Sequence, residues 1–295
     1  MSPANLIDGR AIASQIQGEL AGRVAALKIN GIVPGLAFVR VGEDAASKVY
    51  VGRKEKTCAE LGIFSELHVL PEATGENALL LLIAKLNLDP RLHGILVQAP
   101  LPKHISEAKI FSAVLPQKDV DGFHPVNVGK LMLGDTTGFR PCTPAGIMEL
   151  LARSNVKTDG AEVVVLGRGN IVGKPMAAML CQKGRGANAT VTICHSATRD
   201  IEAHCRRADI LIAAMGVPEF VKAGMVKSGA VVIDVGVNRV PDAGSKTGTK
   251  LVGDVDFAAV QKIAGKITPN PGGVGPMTIA MLMQNTVRAA EISGN

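Results

Sequence analysis

Apolar runs long enough for β-strands alternate with helical patterns along this chain, and the alternation constrains its fold more than any other feature. In the first half, strand-like runs at 36–41, 65–70 and 94–98 are separated by helical patterns at 46–61 and 77–86. Since a strand–helix–strand unit joins parallel strands by a crossover, this order predicts an α/β fold with a parallel sheet. Aromatic residues make up only 3% of the chain, so aliphatic residues must build the core, as in buried parallel sheets.

A second alternating series follows, and 295 residues are enough for two domains. Its predicted elements are strands at 162–166, 190–194, 209–213 and 231–235, a helix at 174–182, a polar loop at 241–250 joining two short strands, and a final amphipathic helix at 277–292. Between the two series, residues 117–144 are dense in Gly and Pro, which predicts a loop region between domains. Thr143 as cap and Pro144 at the first helical position then predict a helix over 145–152.

Composition narrows the function classes. The net charge of +6 suits an anionic ligand, whereas the basic residues are dispersed without a set of stacking aromatics, which argues against nucleic acid. Five cysteines without a C-x-x-C pair predict free thiols in a reducing compartment. No stretch resembles a secretory signal or a membrane span, so the expected location is the cytoplasm. No metal site is expected, because Cys194, His195, His204 and Cys205 lack the ligand spacing of zinc sites.

A glycine-rich turn, GRGNIVGKP at 167–175, follows the strand at 162–166 and opens a helix. In that context the backbone N–H groups and the helix dipole face an anion, which predicts a phosphate-binding turn. The spacing is one residue longer than the common dinucleotide fingerprint, so an ordinary glycine-rich turn is the alternative. The next strand ends in His195-Ser196 rather than in an acid, and Arg168 lies inside the turn. A cation without a nearby carboxylate favours the 2′-phosphate of NADP, unless Arg168 is only a solvated turn residue.

Ser47, Tyr50 and Lys54 recur at i, i+3 and i+7 on one face of the predicted helix at 46–61. The face continues into Cys58 and Leu61, so we expect Lys54 to be partly desolvated. Burial lowers the pKa of a lysine, and a neutral amine can act as a base. The alternative is a Lys54 side chain that snorkels at the edge of the core.

Two further candidates lie at or beyond the ends of strands. Gln98 ends a predicted buried strand, where it could hydrogen-bond Lys54 or a ligand. Asp121 follows in the loop region and could accept hydrogen bonds from amide-like N–H groups of a ligand. The alternative for Asp121 is a turn aspartate that precedes Gly122.

Nine segments together resemble the methylenetetrahydrofolate dehydrogenase/cyclohydrolase family, in the order in which that family carries them. They are SKVYVGRK (47–54), GILVQAPLP (94–102), KDVDGFHPVNVGKL (118–131), PCTPAGI (141–147), GRGNIVGKP (167–175), TVTICHSAT (190–198), VIDVGVN (232–238), GDVDF (253–257) and PGGVGPMT (271–278).

The resemblance implies a fold and an activity. It implies two α/β domains around a cleft: residues 1–140 with 277–295 as the folate-binding catalytic domain, and 141–276 as a Rossmann-like NADP-binding domain. The last helix would return to the first domain, and members pair as homodimers. The implied activity is NADP-dependent oxidation of 5,10-methylenetetrahydrofolate to 5,10-methenyltetrahydrofolate, followed by hydrolysis to 10-formyltetrahydrofolate.

The resemblance also implies residue roles. Lys54 would transfer protons in the hydrolysis, Gln98 would hold Lys54, Tyr50 would orient the folate with support from Ser47, and Asp121 would bind the pterin edge. The remaining implied roles are contacts to folate by Pro100, Pro271, Gly272 and Gly273, to the NADP phosphates by Gly167, Arg168 and Gly169, to the 2′-phosphate by Ser196, and to the nicotinamide half by Val237.

This chain departs from the family at two positions. Gly169 stands where the family carries Ser, which removes a hydroxyl donor from the glycine turn, and Asn270 stands where it carries Val. Two other functions stay open on the residues alone. One is a different two-domain NAD(P) dehydrogenase acting on a small acid through His124 or Arg140, and the other is a nucleotide-sensing or nucleic-acid-binding protein.

Overall fold

The computed structural model describes residues 5–242, 244–245 and 248–294, which form two compact units. The first half of the chain holds β1 (Asn5–Leu6), α1 (Gly9–Ile29), β2 (Gly35–Val41), α2 (Ala45–Leu61), β3 (Phe64–Leu70), α3 (Glu76–Leu88), β4 (Gly94–Val97), α4 (Glu107–Ala113) and α5 (Pro125–Leu133). The second half holds α6 (Cys142–Arg153), β5 (Glu162–Leu166), α7 (Gly173–Leu180), β6 (Thr190–Cys194), α8 (Ile201–Arg207), β7 (Ile210–Ala213), β8 (Val231–Asp234), β9 (Asn238–Pro241), β10 (Thr249–Val252), α9 (Phe257–Val260), β11 (Lys266–Ile267) and α10 (Val274–Ser293).

The three-stranded unit comprises residues 14–142 and 279–294. Its parallel sheet has the order β3-β2-β4, and every residue of the central strand β2 is buried. Ala37 and Val39 of that strand pack with Leu79 and Ile83 of α3 on one face. The predicted β-α-β-α-β order of the first half is therefore confirmed, and the apolar runs of β2 and β4 are buried on both faces.

The six-stranded unit comprises residues 5–13 and 143–278. Its sheet has the order β1-β11-β8-β7-β5-β6 and is parallel throughout, with the apolar residues of β5, β7 and β8 at the centre of the core. Residues 5–13 were expected in the first domain, but Asn5 and Leu6 pair with Lys266 and Ile267. Two residues are too short a strand to leave a pattern in the sequence.

A two-stranded antiparallel hairpin, β9–β10, carries the polar loop predicted at 241–250. Residues 243, 246 and 247 of that loop lie outside the described residues. The flanking pairs Asn238 with Val252 and Pro241 with Thr249 confirm that the loop joins two short strands.

The final helix α10 returns to the three-stranded unit, as expected. Arg23 of α1 forms a two-pronged ion pair with Glu291, with N–O distances of 2.9 and 2.7 Å. Arg288 donates to the backbone carbonyls of residues 136, 137 and 138, which holds the segment before α6 against the helix. No helix among the described residues combines the length and the apolar character needed to span a membrane.

The prediction of a loop over 117–144 is wrong for the nine residues of α5, which lie inside it, and for residues 142–144, which begin α6. His124 caps α5 by accepting a hydrogen bond from Val126 N at its Nδ1, Pro125 starts the helix, and Gly134 ends it in the left-handed region. The Gly and Pro residues thus mark the ends of a short helix. The following helix α6 begins at Cys142, so Thr143 is not its cap. Pro144 lies in the first turn of α6, where its lack of an N–H costs no hydrogen bond because the first-turn N–H groups of a helix have no intrahelical partner.

A buried carboxylate organises the same segment. Asp119 accepts hydrogen bonds from Asn127 Nδ2 at 2.8 Å, from His124 N at 2.8 Å and from Phe123 N at 3.1 Å. Burial nevertheless raises the pKa of Asp119 to about 6, because desolvation outweighs the three hydrogen bonds. The protonated carboxyl therefore favours the folded state.

We predict that Asp119 makes the stability of the chain fall as the pH rises from about 4 to about 6. The folded-state pKa of about 6 lies above the ordinary value of 3.8, so the folded state holds the proton more tightly across that window. The difference in free energy of unfolding between the wild type and Asp119→Asn should decrease through the window and stay constant above it. Urea unfolding at half-unit pH steps measures this, and two parallel profiles would contradict it.

Candidate active site

A buried stripe along α2 positions the candidate catalytic lysine. Asp44 caps the helix by accepting a hydrogen bond from Ser47 N at 2.7 Å. The buried face of the helix consists of Ser47, Val51, Lys54 and Cys58, with 6%, 1%, 6% and 0% of their surface exposed. The burial expected for Lys54 from its helical spacing is therefore confirmed. Other cationic residues of the helix, Lys48, Arg53 and Lys56, are exposed.

Lys54 reaches the residue that follows β4. Its Nζ donates to Gln98 Oε1 at 2.9 Å, which confirms the predicted contact between these side chains. The other end of the Gln98 amide, Nε2, donates to the Ala99 carbonyl at 2.6 Å, so the amide is held with its oxygen towards the amine. Tyr50 lies half-buried one turn before Lys54 on α2, and Pro100 is exposed beyond Gln98.

Burial shifts the pKa values of two neighbouring groups in opposite directions. Desolvation lowers the pKa of Lys54, although the negative charge of Asp121 opposes the shift. Desolvation raises the pKa of Asp121, while the Lys54 ammonium and a hydrogen bond with the Cys142 thiol oppose that shift. Both shifts favour the neutral forms, so this pair can hold or release a proton nearer neutrality than either group could in water.

Two residues that border this pair, Cys142 and Asn285, were not predicted from the sequence. Cys142 is buried, and burial raises the pKa of its thiol well above 9.0, so it stays a neutral donor; its Sγ lies 3.3 Å from the Val120 carbonyl. Asn285 of α10 donates from Nδ2 to the carbonyls of Val120 at 2.8 Å and Arg140 at 3.0 Å. It thereby holds the two chain segments that carry Asp121 and Cys142. No charge or periodicity marks either residue in the sequence; only the fold brings them together.

The glycine turn lies in the six-stranded unit between β5 and α7. Gly167 N donates to the Cys194 carbonyl at 2.8 Å, which continues the β5–β6 ladder into the turn. Gly167 has a φ of 114°, and a Cβ there would overlap the carbonyl oxygen of Ala214. A Cβ at Gly173 would overlap the carbonyl of Gly167. Both positions therefore require glycine, as a turn that brings its backbone close to a pyrophosphate does.

The exposed side chains at this edge fit an anionic nucleotide. Arg168 and Ser196 lie exposed just beyond the paired strands β5 and β6, whose register aligns Leu166 with Cys194. Within the described part of the chain, neither Arg168 nor Arg199 forms an ion pair with a carboxylate. A Cβ at Gly169 would meet open space, so the family's serine could stand there without strain. The turn and its free cation thus fit NADP.

The remaining predicted contacts lie on loops of the same unit. Val237 is 54% exposed three residues after β8. Pro271, Gly272 and Gly273 connect β11 to α10, and a Cβ at Gly273 would lie 2.7 Å from the Thr268 Cβ. The structure therefore gathers six predicted folate contacts in the three-stranded unit, namely Ser47, Tyr50, Lys54, Gln98, Pro100 and Asp121. The other three, Pro271, Gly272 and Gly273, lie in the six-stranded unit with the predicted nucleotide contacts.

Three residues behind the alternative functions, Cys194, Cys205 and His124, have structural roles. Among the described residues no group of three or more His, Cys, Asp or Glu side chains could hold a metal, and all five cysteines are free. Cys194 and Cys205 are buried in the core, and His124 caps α5.

Models of two protein domains match this chain. The tetrahydrofolate dehydrogenase/cyclohydrolase catalytic domain matches residues 7–121, and the NAD(P)-binding domain of the same family matches residues 141–294.

Curated relatives and solved structures agree. The chain is 59% identical over 290 residues, 98% of each chain, to the bifunctional protein FolD of Syntrophus aciditrophicus, and 57% identical to that of Moorella thermoacetica, covering 98% of this chain and 99% of that one. It matches the FolD crystal structure of Campylobacter jejuni (TM-score 0.93, 47% identity, 98% and 99% covered) and that of Trypanosoma brucei in complex with NADP and an inhibitor (TM-score 0.94, 42% identity, 99% of each). The chain therefore belongs to the tetrahydrofolate dehydrogenase/cyclohydrolase family.

Proposed function

We propose that this chain oxidises 5,10-methylenetetrahydrofolate with NADP and hydrolyses the 5,10-methenyl product to 10-formyltetrahydrofolate. The observation that carries the proposal is the buried Lys54 amine, held by Gln98 and set beside Asp121, in a chain that matches both domains of the family. We assign NADP to the six-stranded unit and the folate chiefly to the three-stranded unit, whose residues supply six of its nine proposed contacts.

The residues of the glycine turn serve the oxidation. NADP, when bound, supplies the acceptor for the hydride that leaves the methylene carbon. The backbone of Gly167 and Gly169 approaches the phosphates, while Arg168 and Ser196 bind the 2′-phosphate from the exposed edge of β5 and β6. Val237 orients the nicotinamide half, so the protein contributes alignment rather than an acid or a base.

Lys54 serves the hydrolysis. Water adds to the methenyl carbon and loses one proton; the bond from that carbon to N5 then breaks as N5 takes up the remaining hydroxyl proton, which leaves the formyl group on N10. The lowered pKa of Lys54 increases the fraction of neutral amine that can accept, at Nζ, the proton lost by water, and the hydrogen bond to Gln98 fixes the direction of the amine. Asp121 binds the N–H groups of the pterin, and Tyr50, with Ser47 behind it, orients the ring.

The other assignments follow from family membership. We propose that Pro100 and the loop Pro271–Gly273 border the folate, that the chain pairs as a homodimer, and that it acts in the cytoplasm. The five free cysteines support a reducing compartment.

We predict that Lys54→Met abolishes the hydrolysis while NADP binding persists. Removing a general base lowers the rate by about 100-fold or more. Lys56→Met, which removes an exposed lysine from the same helix, is the matched control and should hydrolyse normally. The decay of methenyltetrahydrofolate absorbance measures the activity, and equilibrium dialysis measures NADP. Normal hydrolysis by Lys54→Met would remove Lys54 from this role.

We predict that Arg168→Gln weakens the preference for NADP over NAD. The loss of a charge-assisted hydrogen bond to the 2′-phosphate should raise the KM for NADP by about tenfold and leave the KM for NAD nearly unchanged. Gly169→Ser should act in the opposite direction, because its added hydroxyl has open space beside the phosphates.

Steady-state oxidation of methylenetetrahydrofolate with each coenzyme in parallel measures both variants. Arg206→Gln, which removes an exposed arginine of α8 in the same unit, should match the wild type. An equal change of both KM values in Arg168→Gln would contradict the assignment of this cation to the 2′-phosphate.

A further inference from the structure

Two carboxylates of the six-stranded unit are buried without a cation. Asp234, the last residue of β8, is 2% exposed, and Asp254, two residues after β10, is fully buried. Within the described residues neither carboxylate pairs with a lysine or an arginine. Burying a carboxylate costs free energy unless hydrogen bonds from the protein replace those from water. The donors around these two carboxylates therefore identify the chain segments that they bind.

Their donors come from three separate loops. Asp234 Oδ1 accepts hydrogen bonds from Gly236 N at 3.0 Å and from Asp254 N at 2.8 Å. Asp254 Oδ2 accepts from the N–H groups of Met215 at 2.6 Å and Gly216 at 2.9 Å, in the loop after β7. Asp254 Oδ1 accepts from Asn238 Nδ2 at 2.8 Å, in the segment after β8. Asp254 therefore ties together the loops that follow two adjacent strands.

The segment that these bonds hold begins where the sheet ends. The ladder between β8 and β7 closes with the bond from Val235 N to the Ala213 carbonyl. Beyond it, Gly236 is held on one side by Asp234 and on the other by Asn270, whose Nδ2 donates to the Gly236 carbonyl at 2.5 Å. A Cβ at Gly236 would overlap the Asp254 carboxylate, so the backbone lies directly against it.

Val237 is the exposed residue of the segment 236–238. It is 54% exposed, and its neighbours on both sides, Gly236 and Asn238, are tied to the buried carboxylates. Because hydrogen bonds hold the residue before Val237 and the residue after it, the backbone between them is fixed in one conformation. Such fixation matters most where a reacting ring must be aligned, because a misplacement of 1 Å is enough to slow a reaction about 100-fold.

We infer that Asn238 and Asp254 are positioning residues for the oxidation. Their hydrogen bond fixes residues 236–238, the Val237 loop, against which the nicotinamide half of NADP lies. The inference rests on the proposed function, which places the nicotinamide at Val237. Neither side chain touches the reacting atoms, and both act through the backbone of residues 236–238.

The test compares the two activities of Asn238→Leu, which keeps the side-chain size and removes the donor. The Oδ2 contacts of Asp254 remain, so the unit should still fold. The KM for NADP should rise about tenfold and the kcat of the oxidation should fall, since a hydrogen bond to a charged group is lost. Hydrolysis of supplied methenyltetrahydrofolate, which uses no NADP, should stay within about twofold of the wild type.

Two further variants separate positioning from a merely structural role. Asn238→Gln keeps the amide donor and should recover part of the KM, whereas Arg239→Ala, on the same strand outside this network, should leave both activities unchanged. A loss of both activities in equal proportion with an unchanged KM would overturn the inference, because it would report only less folded protein. An Asn238→Leu enzyme with wild-type kinetics would overturn it equally.

Failure of the proposed function has a different signature. A wild-type chain that does not oxidise methylenetetrahydrofolate overturns the function, and equilibrium dialysis of NADP then tests the loop directly. Weaker NADP binding by Asn238→Leu than by Arg239→Ala supports the positioning role, and equal binding overturns it.

Discussion

The hydrogen bond between the buried amine of Lys54 and Gln98 is the interaction on which the account depends. A buried ammonium is costly, so desolvation lowers the pKa of Lys54 and increases the fraction of neutral amine. The Gln98 amide can direct that amine because its other end is tied to the Ala99 carbonyl. Asp121 and the neutral Cys142 thiol complete the surroundings, and Asn285 on the returning final helix holds the segments that carry them.

The six-stranded unit depends on a different physical principle. Backbone groups make most of the proposed contacts to NADP, and buried side chains fix the conformation of that backbone. Gly167 and Gly173 allow the turn after β5 to close tightly, which leaves N–H groups and Arg168 at the carboxyl end of the strands. Asp234 and Asp254 fix the loops after β8 and β7 through N–H groups. A coenzyme that brings its own reactivity needs this kind of preorganised surface more than it needs a base.

Much of this could be read from the sequence, because strands that are buried on both faces appear as uninterrupted apolar runs. The spacing of Ser47, Tyr50 and Lys54 likewise predicted a partly desolvated lysine, and the position of Gln98 at the end of a strand left Lys54 and a ligand as its two candidate partners. The helices α1, α4, α5, α8 and α9 were missed. In α5 the flanking Pro125 and Gly134 resemble loop residues, although they are the start and the end of a helix. Asp234 and Asp254 could not be predicted as a pair, since they are twenty residues apart and bind mainly backbone groups.

The most direct test of the central claim is a titration of Lys54 itself. Lysine labelled with ¹⁵N at Nζ allows each amine to be followed by NMR over pH, and Lys54→Met assigns the signal. The account predicts that Lys54 Nζ titrates below 10.5, the ordinary value, and ahead of the exposed lysines. A Lys54 signal that titrates together with the surface lysines would contradict it.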